Sequence, residues 1–268
     1  MKTYLITGSS RGIGLAIAKK LAQAEKANII IAAKTTEPHP KLEGTIFTAA
    51  EQVEKAGGRA LPLQMDVRDE ESIKSVIDQG VAKFGGLDGV ILNASAIILG
   101  KTHEIGLKKF DLMHQVIVRG HYATVHHALP HLQKSKSPSV LGLCPPSQNA
   151  SEKWMAPHLA YSLMKFGLSL MVRGWAGELR PLGIQVNALW PKTLIATAAV
   201  QNLLGGDAAI RRSRKPEIMA DAAYWILQNR DQSGQFFYDE DVIKKLGQDP
   251  HGYALDPSQK PLADIYVD

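Results

Sequence analysis

The sequence predicts an α/β fold, a doubly wound parallel sheet of about seven strands with helices on both faces. Three observations predict it. Short runs that are apolar throughout alternate with longer stretches whose apolar residues recur every three or four positions. Strands apolar on both sides belong to parallel sheets covered on both faces. A glycine-rich turn, "TGSSRGIG" from Thr7 to Gly14, stands where the first strand gives way to the first helix.

Taken in order, Lys2 to Ile6 reads as a short buried strand. Leu15 to Gln23, apolar at Ile17, Ala18, Leu21 and Ala22, reads as the helix after it. Asn28–Ala33 is a second buried strand, followed by a helix near Thr45–Ala56. Arg59–Val67 is the third, followed by a helix over Glu70–Phe84. Leu87–Ser95 is the fourth and leads to a long helix around Lys108–Leu129. Ser139–Cys144 precedes a helix at about His158–Leu179, and Ile184–Pro191 is the sixth strand. Gly234–Asp239 is the seventh, after a helix near Glu217–Gln228. From about Asp249 the chain is rich in Pro, Gly, Asp and Lys, and an irregular arm lying on a neighbouring subunit is expected. Residues 1–268 are expected to form a single domain, with no internal repeat or low-complexity segment.

At 45% hydrophobic and 21% charged residues, the chain has the composition of an ordinary soluble globular protein. No apolar run reaches the ~18 residues of a membrane span, so none is expected. The first strand begins almost at once, so no targeting peptide is expected. A lone cysteine, Cys144, permits no intrachain disulfide and fits a reducing compartment, so a cytoplasmic location is expected. The net charge of +5 is mild. Its densest basic run, Arg211 to Lys215, has no interleaved aromatics. It reads as a solvated loop, with a basic lid over an anionic ligand as the alternative, and nucleic acid is not an expected partner. His114, His121, His126, His127 and His131 crowd one helical region. They lack His-Glu-x-x-His spacing, and neighbours such as His126 and His127 face different ways, so no metal site is expected; some of these histidines could line a substrate cleft instead.

The glycine turn points to a phosphate. A helix N-terminus presents unpaired N–H groups and a positive dipole end, and glycines let backbone approach an anion closely. Gly8, Gly12 and Gly14 have that placement, with a purely structural turn as the competing reading. In dinucleotide folds an acid about 20 residues further on holds the ribose 2′-hydroxyl. Here Lys34 stands there, with Arg11 as a second cation, which favours a 2′-phosphate and hence NADP(H); solvated strand-end charges are the alternative. Asp66, ending the third strand, is placed to accept from an adenine amino group, unless it caps the next helix.

"YSLMK" puts Tyr161 and Lys165 on one helix face. A phenol titrates near ~10, so acid–base work near neutrality needs a shift of ~3 units, about 4 kcal/mol. A neighbouring ammonium lowers a phenol's pKa.

"TGSSRGIG", "NAS" after the fourth strand, "YSLMK" and "VNALWP" occur in the order and spacing of the short-chain dehydrogenase/reductase family, which the chain resembles over nearly its whole length. More narrowly, "IAAKTTEPHPKLEGTIFTAA" and "VNALWPKT" resemble its hydroxysteroid dehydrogenase-like branch, which can carry an added sterol-carrier domain for which this chain is expected to have no room. The resemblance implies a Rossmann-type fold, NADP(H), a homo-oligomer (tetramer or dimer) and a tyrosine that exchanges a proton with a carbonyl or alcohol. By motif, Gly8, Ser10, Arg11, Gly12, Ile13 and Gly14 would line the pyrophosphate and ribose, and Lys34 would meet the 2′-phosphate. Asp66 and Val67 would flank the adenine, with Asn93 and Ala94 on the adenosine side. Tyr161 would be the acid/base and Lys165 would hold the nicotinamide ribose. Pro191, Leu194, Ile195 and Thr197 would approach the carboxamide.

The chain departs from the family pattern as well. Leu92-Asn93-Ala94-Ser95 stands for the usual Asn-Asn-Ala-Gly, and Lys192 follows Pro191 where a glycine is usual. The helix asparagine falls on Ile117, and the substrate-orienting serine on Cys144 and Pro145. Ser147 is the candidate to supply the missing hydroxyl, with a plain loop serine as the alternative. Cys144 reads as a small buried strand-end residue. The expected function is therefore hydride transfer between NADP(H) and a carbonyl or secondary alcohol of a hydrophobic small molecule. The alternative is a non-catalytic NADP(H)-binding sensor or assembly protein with a decayed catalytic set.

Overall fold

A computed structural model describes residues 1–39 and 42–267. Its seven strands are β1 (Thr3–Thr7), β2 (Asn28–Ala33), β3 (Arg59–Gln64), β4 (Gly89–Leu92), β5 (Ser139–Leu143), β6 (Gln185–Trp190) and β7 (Phe236–Tyr238). All pair in parallel in the order β3-β2-β1-β4-β5-β6-β7. The order reverses between β1 and β4, and a crevice opens there at the carboxyl ends.

Side chains alternate across the sheet, so each strand feeds two cores. Leu5, Ile30 and Val90 face one, while Tyr4, Ile6, Ile29, Ile31 and Ile91 face the other. The second core is covered by α1 (Gly12–Glu25), α2 (Ile46–Lys55), α10 (Glu217–Gln228) and α11 (Asp239–Lys245). The first is covered by α3 (Glu70–Phe84), α4 (Leu107–Met113), α5 (Gly120–Leu132) and α7 (Leu159–Glu178). Short helices α6 (Glu152–Met155), α8 (Ala198–Leu203) and α9 (Gly206–Arg211) lie in the loops at the carboxyl end.

Helix limits follow local chemistry. Thr45 and Thr48 form a reciprocal capping box at the start of α2. Asp69 accepts from Glu71 N at the start of α3, whose last turn closes on Gly85 in the left-handed region. Three expectations needed revision. The helix expected over Lys108–Leu129 is interrupted by a π-helical segment, His114–Arg119, after which Gly120 packs so tightly that a Cβ would lie 2.5 Å from the Val67 carbonyl. The run Arg211–Lys215 is not a solvated loop: Arg214 is buried, pairs with Glu240 and bridges Ile195 to Ala254. The arm from Asp249 is not irregular throughout: it opens with a short 3-10 turn, Pro250–Tyr253, and further on Ala263 pairs with Thr193. No helix among the described residues is long and apolar enough to cross a membrane.

Candidate active site

β1 ends at Thr7, and its hydroxyl organises the crevice. It accepts from the backbone N–H of both Asn93 and Ala94, at 2.9 Å each, tying the loop after β4 to the loop after β1. The Asn93 side chain returns the tie, donating to the carbonyls of Thr7 (2.8 Å) and Gly8 (3.0 Å). The side chain thus braces the glycine loop from behind. Gly14 sits against that brace, and a Cβ there would lie 2.6 Å from Asn93 Nδ2. Gly8 and Gly12 hold φ of +68° and +57°, the left-handed region that favours glycine.

A groove of about 1570 Å³ runs along the carboxyl ends of β1 to β4. Gly8, Ser10, Arg11, Gly12, Ile13, Lys34, Asp66, Val67, Asn93, Ala94 and Thr197 all line it. The N-terminus of α1 opens into it with no side-chain cap and no acidic residue in its first turn, so its N–H groups and dipole are left to an anion. A Cβ on Gly12 would reach 3.4 Å from the Thr197 methyl, so glycine keeps the gap between the two walls open. The cradle fits a dinucleotide phosphate. Arg11 is partly committed to its own chain, its Nε and Nη2 donating to the carbonyls of Glu43 and Gly44. Pro40 and Lys41 of that same loop lie outside the described residues.

At the far end of the groove Lys34 reaches Asp66 at 3.4 Å with its side chain 61% exposed. Sequence reasoning missed Arg68, which clasps both Asp66 oxygens at 2.6–3.1 Å. That bonding holds the Asp66 carboxyl down at about 2. Asp66 does not cap α3, a role Asp69 takes. The Arg68 backbone N–H also bonds Asp66 Oδ1, at 3.0 Å, in an Asx-type turn that no sequence pattern announces.

The reactive pair lies behind the groove wall. Tyr161 is 2% exposed and Lys165 is buried, and neither lines the groove. Lys165 Nζ donates to Leu143 O at 2.6 Å and lies 4.9 Å over the Trp190 ring. Burial pushes Lys165 down to about 8. Tyr161 is pushed upward, first by burial and then by Tyr266 and Asp264, with only the Ser95 hydroxyl opposing. The expectation that Lys165 would lower this phenol is not met in this geometry, because a buried ammonium loses its charge before the phenol ionises. Ser95, the residue in place of the usual glycine, lines the groove, and its side chain is the one influence that favours the Tyr161 phenolate.

Ser147 does not turn toward the reactive pair. Its Oγ accepts from Arg173 Nη2 at 2.7 Å on the outer side of a short 3-10 turn. Cys144 is buried at the end of β5, its thiol pushed up to about 11 by its surroundings and so not a nucleophile. Ile117 is fully buried in the π segment. His121 is fully buried beside the Ile117 and Ala94 backbone and near Lys165, and burial drives it down to about 3, which keeps it neutral. Leu194 and Ile195 are buried and do not line the groove; Leu194 is pinned through its backbone to Leu262 and Arg214, and Pro191 lies outside the groove as well. Lys192, in place of a glycine, donates its N–H to Asp239 and its Nζ to Asp241. Among the described residues no three His, Cys, Asp or Glu side chains gather as metal ligands.

The sequence profile of the family described as short chain dehydrogenase matches residues 2–206. Hydroxysteroid dehydrogenase-like protein 2 of Danio rerio is 51% identical over 99% of this chain and 64% of its own length, and that of Homo sapiens 46% over 99% and 63%. The chain therefore spans somewhat less than two thirds of these curated relatives. A solved protein of Xanthomonas campestris, 44% identical, superposes with a TM-score of 0.95 over 100% of this chain and 98% of its own. A short chain dehydrogenase of Mycobacterium thermoresistibile, 48% identical, does so at 0.93 over 100% and 95%.

Proposed function

This chain belongs to the short-chain dehydrogenase/reductase family, and on that premise we propose that it is an NADP(H)-dependent oxidoreductase acting on a carbonyl or secondary alcohol of a hydrophobic small molecule. The observation that carries the reading is the groove built on the glycine turn, lined by Ser95, whose side chain acts on the phenol of Tyr161. The hydride is what a bound nicotinamide contributes. The protein's part is to hold, orient and protonate. In the reducing direction Tyr161 Oη gives its proton to the substrate oxygen as the carbonyl carbon gains the hydride, and in the oxidising direction it takes that proton back. Ser95 holds the phenol and supplies a hydroxyl donor beside the reacting oxygen. Lys165 brings a positive charge below about pH 8. Preference for a 2′-phosphate rests on Lys34, Arg68 and Arg11 at the groove's adenosine end, with Asp66 held between Lys34 and Arg68.

A second reading, a cofactor-binding protein without catalysis, is favoured by one observation. Apolar Ile117 and Cys144 are fully buried where an amide and a hydroxyl are usual, and Tyr161 is covered. NADPH binding followed by fluorescence, then NADPH oxidation against a carbonyl panel beside Tyr161→Phe, separates the two. Turnover lost in the phenylalanine variant supports the dehydrogenase; tight binding with no turnover by either protein supports the second reading. We also propose a homo-oligomer, since Tyr122 (56% exposed), Leu163 (48%) and Leu170 (63%) leave an apolar face on α5 and α7. A sedimentation run showing only monomer would remove it.

A further inference from the structure

Leu262 to Val267 lies against Tyr161. The segment is stitched down by its backbone. Leu262 accepts from Leu194 N and donates to Arg212 O, both at 2.9 Å, and Asp264 N reaches Lys192 O at 3.2 Å. Trp190 Nε1 donates to Ile265 O at 3.0 Å and Asn149 Nδ2 to Tyr266 O at 2.6 Å.

These ties deliver one side chain, Tyr266, into the interior at 0% exposure. Its ring sits in a box of aromatics, edge-on to Phe166 at 5.0 Å and to Trp154 at 6.2 Å, tilted on Trp190 at 5.9 Å. The fourth wall is Tyr161 itself, stacked at 6.5 Å with 22° between planes. The Tyr266 hydroxyl bonds Ser162 Oγ at 2.9 Å. Yet Tyr266 holds a φ of +66°, a left-handed backbone that a bulky residue adopts only under strain. The segment is therefore well packed and strained at once, the combination of an element with a second position to go to. The chemistry also demands one, because a phenol sealed at 2% exposure cannot pass a proton to any substrate.

We propose that Tyr266 sets access and specificity at this active site, its phenol holding the place of a substrate ring in the Trp154–Tyr161–Phe166–Trp190 box until the segment swings out. The substrate class that follows is a cyclic, largely apolar carbonyl or alcohol. Aromatic walls reward a flat ring, and the Ser162 hydroxyl keeps its bond to Trp154 O at 3.2 Å when the phenol leaves. This rests on the dehydrogenase reading for its chemistry, but not for the opening of the segment.

The test locks the segment on the full chain. Thr193 and Ala263 face each other across an antiparallel bridge, a separation a disulfide spans. Thr193→Cys with Ala263→Cys is compared oxidised and reduced, by acrylamide quenching of tryptophan fluorescence and by NADPH-dependent reduction of cyclohexanone and acetone. Reduction is expected to raise quenching about twofold, since Trp154 and Trp190 line the box, and to restore cyclohexanone turnover by about tenfold or more, with NADPH affinity unchanged. Equal quenching in the two forms overturns the proposal whatever the activity. Greater quenching in the reduced form with no turnover in either leaves the gate standing and removes the dehydrogenase reading. Tyr266→Ala gives the same readouts independently of pairing. It is expected to raise quenching and to favour cyclohexanone over acetone, and unchanged quenching and preference would overturn the proposal.

Discussion

Tyr161 sits between opposing influences that individual residues carry. Burial, the Tyr266 ring and the Asp264 carboxyl all favour the neutral phenol, and the Ser95 hydroxyl alone favours the phenolate. Replacing Ser95 with alanine should therefore cost turnover by ~10²–10³, the usual loss when one donor to a reacting oxygen is removed. The pH profile for alcohol oxidation should also move upward, because the phenolate loses its only local support. Threonine at 95 should restore most of both, and an alanine variant with wild-type rate and profile would show that the hydroxyl is a bystander. Lys34 and Arg68 argue a separate point at the adenosine end. Lys34→Asp adds a second carboxylate beside Asp66, so the NADPH-to-NADH affinity ratio should fall by about tenfold or more. The same titration on Arg68→Ala should weaken NADPH as well, and also free Asp66. Tyr161, Lys165 and Lys34 were legible in the sequence because spacing and strand ends locate them. Arg68 and the influence of Ser95 on Tyr161 were not, because each depends on where a loop turns.

Strands and helices of strong period were legible almost to the residue. Asn28–Ala33, Glu70–Phe84 and Glu217–Gln228 have the predicted limits, since apolar runs, acidic first turns and a terminal glycine are local signals. The π-helical segment was not legible, because one extra residue per turn leaves the apolar spacing nearly unchanged over six residues. Strand ends were overshot by two or three residues at β3 and β4, and that error has a functional cause. Asp66, Val67 and Asn93 to Ser95 leave the ladder to line the groove. The junction of β1 with α1 makes a test at this scale. Gly14→Ala would place a Cβ 2.6 Å from Asn93 Nδ2 and 2.8 Å from Gly8 O, and the second is backbone that cannot step aside. The expected result is a loss of about 1–3 kcal/mol in stability and at least tenfold weaker NADPH binding, read by thermal unfolding and fluorescence titration. Gly86→Ala, where nothing lies within 4 Å, should leave cofactor affinity unchanged and serves as the control.

Across the whole molecule the last turns of chain join β6, β7 and α7 into one block, and no local pattern announces this, since Ala263 and Thr193 pair from far apart in sequence. Two carboxyls are enclosed in that block. Asp239 accepts from Lys192 N and Glu240 N and faces Arg214 and the Glu240 carboxylate; burial raises it to about 7. Asp264 accepts from Ile265 N and faces Asp239 and Lys165, and burial raises it to about 8. Both folded values stand above the unfolded 3.8, so between those limits the native state holds protons that the unfolded chain has released. The stability these groups contribute is complete below the unfolded value and is lost as pH climbs through about 7 and about 8. Thermal unfolding should thus show Tm falling by several degrees from about pH 5 to about pH 9, at about 2–4 °C for each kcal/mol lost. Asparagine at 264 keeps the acceptor for Ile265 N and removes the titration, so its Tm should match wild type near pH 5 and exceed it near pH 9. The same variant should leave the segment docked at high pH, where wild type begins to release it and tryptophan quenching rises. Parallel Tm curves for the two proteins across that range would mean that the Asp264 carboxyl reaches water and that docking does not depend on its proton.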